Sequence, residues 1–473
     1  MNERNEPARI RRLTADIPGL GGRIRETPED FRVEELPLYR PTEEGDHLLF
    51  EMEKRGLSTF ESLLYVSKAA KVSEHTIGYA GLKDARAVTT QWMSVHRVPP
   101  GRLVAMKHPK IRILSVHRHA SKIRIGHLAG NRFTIRIRGA RVEHLRAGRE
   151  TLGRLAERGV PNAYGVQRFG VKHDGHILGR ALVLGDFREF LAHLLGHPHP
   201  READPRVRHA REAYDRGDLA EAFENFPMKH RIQKQALSAL LRTGDPRAGF
   251  EALGKRPRRI YVSAYQSYLF NRCLDARLRD DTYDRLLPGD LAWQHDTGAL
   301  YPSDGGEADF DRARRFEASP SGPLEGFDMR APTGVPRDLE RRVLDAEGLT
   351  EDLFRAEAIA TRGGRRPYRV PLIDASLEEE GPDTVLARFT LPPGSFATVV
   401  LDELMKTSVD PGALPTGEPS VGSSSGLPLD AQADAQADVR GDEGGAGEEG
   451  ADAPDLPLDP DAPQDADDVG EGA

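Results

Sequence analysis

The sequence predicts an α+β protein with a largely antiparallel sheet, a helix-rich middle and a disordered acidic end. Three observations carry that prediction. Alternating apolar runs mark strands early in the chain and again near residue 390. Helical spacing dominates the stretch between them. From Thr407 to Ala473 the chain holds seventeen acidic residues, one basic residue (Arg440) and no aromatic ring.

The 473 residues leave room for two or three domains, and a hydrophobic content of 38% implies that part of the chain packs no core. That part is the tail, a low-complexity run of Gly, Ala, Pro and Asp that buries too little apolar area to offset its ordering entropy. A solubilising tail is its first reading, and competition with a polyanion for the basic body is the second. The net charge of −8 divides into −16 for the tail and +8 for the rest. A basic body suits a polyanion such as RNA, although +8 over so long a chain also describes an ordinary solvated surface.

Cys273 is the single cysteine, so no disulfide framework and no CxxC zinc site forms within the chain. Met1–Asn5 lacks the apolar core of a signal peptide, and no run approaches the roughly eighteen apolar residues of a membrane span. A soluble protein of the cytoplasm is expected. Its oligomeric state is open, with a monomer the expectation.

Residues 1 to about 16 are polar and expected to fray. Pro18–Gly22 is turn-rich and lacks the spacing of a dinucleotide fingerprint. In His47–Lys54, Leu48, Phe50 and Met52 share one strand face. Ser58 and Glu61 have capping-box spacing, starting a helix with Phe60, Leu63 and Leu64 as its apolar face. Ile111 with Ile113, Ile123 with Ile125, and Phe133 with Ile135 and Ile137 read as three further strands. Their outward side would carry Arg112, Arg124, Arg136 and Arg138, a face suited to RNA. Helices are expected over Val207–Phe226 and Ser263–Arg279, then a strand at Leu386–Leu391 and a helix over Ser395–Lys406. The last two would complete the first sheet. The domains are then 1–165 with 371–406, an insertion at 166–370, and the tail at 407–473.

Within Tyr79–Trp92, Asp84 stands between Lys83 and Arg86, and Gly81 permits a tight or positive-φ turn. Neighbouring cations favour an ionised carboxylate, which serves as nucleophile or base. On charge alone, a salt-bridged loop Asp is the commoner case.

Gly81–Gln91 resembles the signature of the TruD family of pseudouridine synthases. Further segments resemble family motifs in family order: Pro28–Glu35, Gly130–Phe133, Pro161–Gly170, Ser263–Asn271 and Leu391–Thr398. The resemblance spans about Gly19 to Lys406. It implies a pseudouridine synthase catalytic domain with an inserted helix-rich TRUD domain that clamps tRNA. It implies cleavage of a uridine's N-glycosidic bond and rejoining through C5, with no cofactor and no metal, at uridine 13 of tRNA. Asp84 would be the nucleophile acting on a flipped-out base. Phe31, Phe133 and Phe396 would supply faces for that base, and Asn131 an amide to read it, although taken alone Phe133 on its alternating strand is more often core and Asn131 after Gly130 a turn residue. Arg25 would partner Asp84 or a phosphate. Lys83 would contact backbone phosphate, its side chain pointing away from that of Asp84. Gln167, Arg168 and Phe169 would either hold the domain junction or touch substrate. Arg86 receives no role. The chain departs from the family at Ala163-Tyr164, where an aromatic pair is usual, and at Ser319–Leu324, where many relatives have Thr.

Two rival classes remain. A non-catalytic RNA-binding protein has no need of a carboxylate facing an anionic ligand. A metal-dependent phosphoryl-transfer enzyme would want a carboxylate cluster, and none is evident near Asp84. His173, His176, His193, His197 and His199 are read as loop residues rather than metal ligands.

Overall fold

The protein's structure, a computed structural model, describes residues 10–170, 172–200, 202, 204–356, 359 and 361–407. The tail from 408 onward, expected to be disordered, lies outside the described residues, as do the first nine.

The chain opens with β1 (Gly21–Arg23), β2 (Phe31–Pro37), β3 (His47–Arg55) and α1 (Thr59–Ala70). Then come β4 (Gly78–Tyr79), β5 (Val88–His96), α2 (Pro100–Val104), β6 (Ile111–His119), β7 (Leu128–Ala140), α3 (Leu145–Arg158) and β8 (Val160–Pro161). A helical stretch follows: α4 (Gly175–Val183), α5 (Phe187–Leu195), α6 (Pro205–Asp215), α7 (Leu219–Asn225), α8 (Arg231–Thr243), α9 (Pro246–Glu251) and α10 (Lys255–Arg279). Short strands β9 (Leu291–Gln294), β10 (Leu300–Pro302), β11 (Ala318–Leu324), β12 (Gly364–Pro367) and β13 (Arg369–Val370) are interleaved with α11 (Glu307–Arg314) and α12 (Gly334–Glu347). The described chain ends in β14 (Ile373–Gly381), β15 (Thr384–Leu391) and α13 (Ala397–Met405).

The main sheet has the order β14-β15-β7-β2-β5-β3-β6, with β1 added to β7 and β4 to β5. Only β2 and β5 run parallel; the other pairs are antiparallel. β7 is the pivot. Asn131 lies opposite Glu35 of β2 on one side and Leu391 of β15 on the other. The expected strand through Ile123 and Ile125 is a turn, and only Ile123 is buried.

Period two decides the faces of β7. Phe133, Ile135 and Ile137 are buried among Leu152 and Leu155 of α3 and Val400, Leu401 and Leu404 of α13. The arginines on the other face differ from the expected open RNA surface. Arg132 pairs with Glu34, Arg136 with Glu380, Arg138 with Asp30 and Arg112 with Glu53. Carboxylates from neighbouring strands and from the turn before β2 thus neutralise most of that face. Arg124 lies outside the strands, on the turn.

The capping box of α1 forms: Ser58 Oγ accepts from the Glu61 N–H at 3.2 Å, and the Glu61 carboxylate accepts from the Ser58 N–H at 2.7 Å. The buried side is Thr59, Ser62, Leu63, Val66 and Ala70. Phe60 and Leu64, expected inside, are each 41% exposed. At roughly 100° per residue they fall on the outer flank of a face centred near Leu63 and Val66.

The N-terminal stretch is not frayed throughout. Thr14 is fully buried, and Glu403 of α13 accepts from the backbone N–H groups of Leu13 and Thr14 at 2.7 and 3.1 Å. A buried carboxylate needs donors, and the incoming chain supplies them. The helix expected over Val207–Phe226 breaks into α6 and α7 at Gly217, whose φ is 86°, and Asp218 caps the second piece. The helix expected from Ser263 begins earlier, at Lys255. The helix-rich stretch also contains a four-stranded sheet, β10-β9-β11-β12, that the sequence pattern did not announce.

Phe389 of β15 is fully buried, with its ring centroid 5.4 Å from that of Phe133. Phe389→Ala is expected to cost about 3–5 kcal/mol in urea unfolding, the usual range for emptying a core aromatic site.

Candidate active site

Between β4 and β5 the chain crosses from Ala80 to Ala87 without regular structure, both alanines buried. Asp84 sits in the middle of this loop. Such a segment cannot hold a side chain in place by a hydrogen-bond ladder, so its anchors come from elsewhere.

Four polar side chains supply them. The Lys83 N–H donates to Thr59 Oγ1, on the first residue of α1, at 2.9 Å. Lys54 Nζ, on β3, donates to the Asp84 carbonyl at 2.8 Å and to the Leu57 carbonyl at 2.6 Å. Lys83 Nζ meets Glu35 Oε2 at 2.6 Å and Asn131 Oδ1 at 2.7 Å. Glu35 also accepts from the Trp92 N–H at 3.1 Å, tying β2 to β5 where their parallel pairing ends.

Lys83 therefore does not fit the expected phosphate contact. Its side chain is 5% exposed and its charge is met by a Glu35 side chain 1% exposed. Successive residues of an extended loop point to opposite sides. With Lys83 turned in, Asp84 turns out, and its carboxylate is 37% exposed.

Arg25 is Asp84's partner, with Nη2 at 3.1 Å from Oδ1. Its guanidinium also lies over the Phe31 ring, 4.0 Å from the centroid. The backbone of Arg25 adopts φ 61°, a left-handed conformation that a non-glycine residue holds only when its surroundings dictate it. Gly81 shows the reverse. It is absent from the positive-φ residues, and a Cβ there would meet open space, so the turn itself does not demand glycine.

Phe31 and Phe133 do not present open faces as expected. They are 1% and 6% exposed, and their rings meet edge to face at 6.2 Å within the sheet's core. Phe31 lies directly beneath Arg25, and Phe133 packs against Phe31. Phe396 is half-buried and belongs to a second group. It lies five residues past Leu391, the partner of Asn131, and packs on Tyr164 at 5.8 Å with the Arg366 guanidinium nearby. The contacts thus join Asp84, Arg25, Phe31 and Phe133, and separately Lys83, Asn131 and Glu35. Phe396 is joined to Asn131 through β15, whose Leu391 pairs with that asparagine.

Of the remaining candidates, Gln167 and Arg86 are exposed. Arg168 is buried and donates to Ser267 Oγ at 3.0 Å, and Phe169 lies in the core of the helical stretch. Two of the histidines read as loop residues lie on helices instead: His176 is buried on α4, stacked on Tyr268, and His193 lies on α5. Among the described residues, no group of three or more His, Cys, Asp or Glu could hold a metal ion, and no helix is long and apolar enough to cross a membrane.

Lys54 escaped the motif reading, and Glu35, the last residue of the Pro28–Glu35 motif, received no role from it, yet both sit on visible patterns. Lys54 continues the buried series Leu48, Phe50, Met52, and Glu35 continues Phe31, Val33. A charge at the inward position of a strand is the signal that would have found them.

Residues 8–404 match the family model described as tRNA pseudouridine synthase D (TruD). The tRNA pseudouridine synthase D of Geobacter sulfurreducens is 46% identical over 398 residues, covering 84% of this chain and 97% of that protein. The protein of the same name from Anaeromyxobacter sp. is 37% identical over 401 residues, covering 84% and 96%. The crystal structure of a putative tRNA pseudouridine synthase D from Methanosarcina mazei superposes with a TM-score of 0.71 at 28% identity, covering 84% of this chain and 96% of that one.

Removing one member of a buried ion pair strands the other. Glu35→Ala is expected to destabilise the protein by about 3–5 kcal/mol, because the Lys83 ammonium loses its counter-charge. Chemical unfolding at neutral pH measures this, and a change below about 1 kcal/mol would mean that Lys83 finds water instead.

Proposed function

Because this chain belongs to the tRNA pseudouridine synthase D (TruD) family, we propose that it isomerises uridine 13 of tRNA to pseudouridine with Asp84 as its nucleophile. The enzyme class, a pseudouridine synthase acting on tRNA, follows from the family. The target position and the residue roles are our reading. One observation supports them above the rest: Asp84 is the carboxylate that the loop turns outward, paired with Arg25, while Lys54 and Lys83 anchor the loop that carries it.

Uridine must leave its stack to reach a carboxylate at the surface of the sheet domain. The N1–C1′ bond then breaks, the base turns, and C5 bonds to C1′. The proton lost from C5 is balanced by one gained at N1, so no cofactor is consumed. Arg25 holds Oδ1, which leaves Oδ2 as the attacking oxygen, whether it adds to the sugar or to the base. Lys83 occupies the oxygen of Asn131, so the Asn131 NH₂ is the end available to donate to a uracil carbonyl. Phe396 and Tyr164 offer the accessible stacking face, while Phe31 acts through Arg25.

Residues 166–370 are assigned as the inserted TRUD domain that clamps the RNA, against a catalytic domain of 1–165 and 371–406. The reading extends to a cytoplasmic monomer, in keeping with a single, fully buried cysteine, Cys273.

The test is pseudouridine mapping in tRNA incubated with wild type and with Asp84→Asn. Wild type is expected to modify position 13, and Asp84→Asn to form no product while still binding tRNA. An active Asp84→Asn would end the nucleophile assignment. Arg25→Ala is expected to lower kcat on the order of 10²-fold with a smaller change in KM, since it loosens the carboxylate rather than the RNA.

A further inference from the structure

Lys54 is fully buried on β3, between Thr89 of β5 and Ile111 of β6. Among the described residues no carboxylate lies within ion-pair distance of its ammonium. Its N–H groups go to main-chain carbonyls instead: Leu57 at 2.6 Å, Asp84 at 2.8 Å and Lys83 at 3.5 Å. An unpaired ammonium in such a place is unfavourable, and an apolar side chain of equal length would fill the same volume without that cost. Packing therefore does not explain the residue. What the charge does is grip the backbone of the Asp84 loop and tie it to the turn before α1.

We propose that Lys54 is a positioning residue for the reaction: it clamps the main chain at Asp84 so that the carboxylate meets the flipped uridine in the reactive geometry. This rests on Asp84 being the nucleophile. The clamp acts on the Asp84 carbonyl and never on the substrate, which separates Lys54 from Arg25. Carbonyl acceptors suit the task, because a carboxylate partner beneath the loop would draw the ammonium off the backbone.

The charged groups facing Lys54 are Asp84 and Lys83 from the loop and Glu61 from α1. Burial pushes the Lys54 pKa down to about 8, against the opposing pull of Asp84. The folded enzyme therefore sheds this proton near pH 8, whereas the unfolded chain keeps it to about 10.5. The unfolded state binds more protons in that window. The burial penalty is thus complete below about pH 8 and is relieved as pH rises toward 10.5. Activity follows the opposite sign, falling as the charge on the clamp is lost.

The experiment uses the full chain as wild type, Lys54→Met and Lys54→Gln, with Asp84→Asn alongside. Single-turnover pseudouridine formation, tRNA affinity and urea unfolding are followed from about pH 6.5 to 9.5. Near pH 7 the Lys54 variants are expected to react on the order of 10²-fold more slowly, with tRNA Kd within about twofold of wild type. Wild type is expected to slow above pH 8 while gaining stability relative to Lys54→Met, and that alkaline loss of rate is absent from both variants. A folded Lys54 variant with the wild-type rate overturns the proposal. So does a rate loss explained by weaker tRNA binding, or an alkaline limb that survives in the variants. Should both variants fail to fold, a wild-type rate that is flat through pH 8 overturns it, and a falling one sustains it. An active Asp84→Asn would instead bring down the nucleophile assignment.

Discussion

Two lysines turned into the protein hold the one carboxylate that is turned out. The segment from Ala80 to Ala87 has no ladder of its own, and it runs beside strands whose buried side chains are mostly apolar, with Thr89, Gln91 and Ser94 of β5 as buried polar exceptions. Lys54 grips it through the backbone, and Lys83 through its own ammonium, set between Glu35 and Asn131. The rest of the sheet domain serves this suspension. β2 delivers Glu35, β3 delivers Lys54, β7 delivers Asn131, and α1 begins at the residue that accepts from the Lys83 N–H. Buried polar groups are tolerated only when satisfied, so each anchor needs the others in place.

The same constraint explains where charge lies elsewhere in the sheet. The outward face of β7 is rich in arginine, but Arg132 pairs with Glu34 of β2, Arg136 with Glu380 of β14, and Arg138 with Asp30 in the turn just before β2. The Arg132 and Arg136 pairs are partly exposed, where an ion pair contributes little free energy, whereas Asp30 is buried beneath Arg138. The +8 of the body is therefore not concentrated there. A polyanion must be recognised by cations outside that ladder.

Legibility varied with the length and regularity of the pattern. The strands at His47–Lys54 and Phe133–Ile137 were readable because alternation runs through several turns of the pleat, and α1 because its capping box is local chemistry. The run through Ile123 and Ile125 alternates too, but Gly126 and the tight turn around it remove the strand. β11 was unreadable for a different reason. It contains Pro320, Gly322 and Pro323, residues that ordinarily exclude a strand, and it survives as the buried partner of β9 and β12. At the site, the position of Asp84 was visible only through an ordered set of motifs. The inward direction of Lys83 was not visible, because it depends on contacts between distant strands, whereas the burial of Phe133 follows from its alternation with Ile135 and Ile137.

β7 is completed by β15, a strand made only after the long helical stretch has left the ribosome. Until then β7 offers an open edge of unpaired amides and carbonyls, the kind of edge that pairs with other chains. The loop closures required are long-range, so they come late and slowly. A nascent chain therefore carries Asp84 before it carries a finished sheet. The sheet is closed only by nearly the last of the described residues, and a product truncated before β15 would expose an adhesive strand.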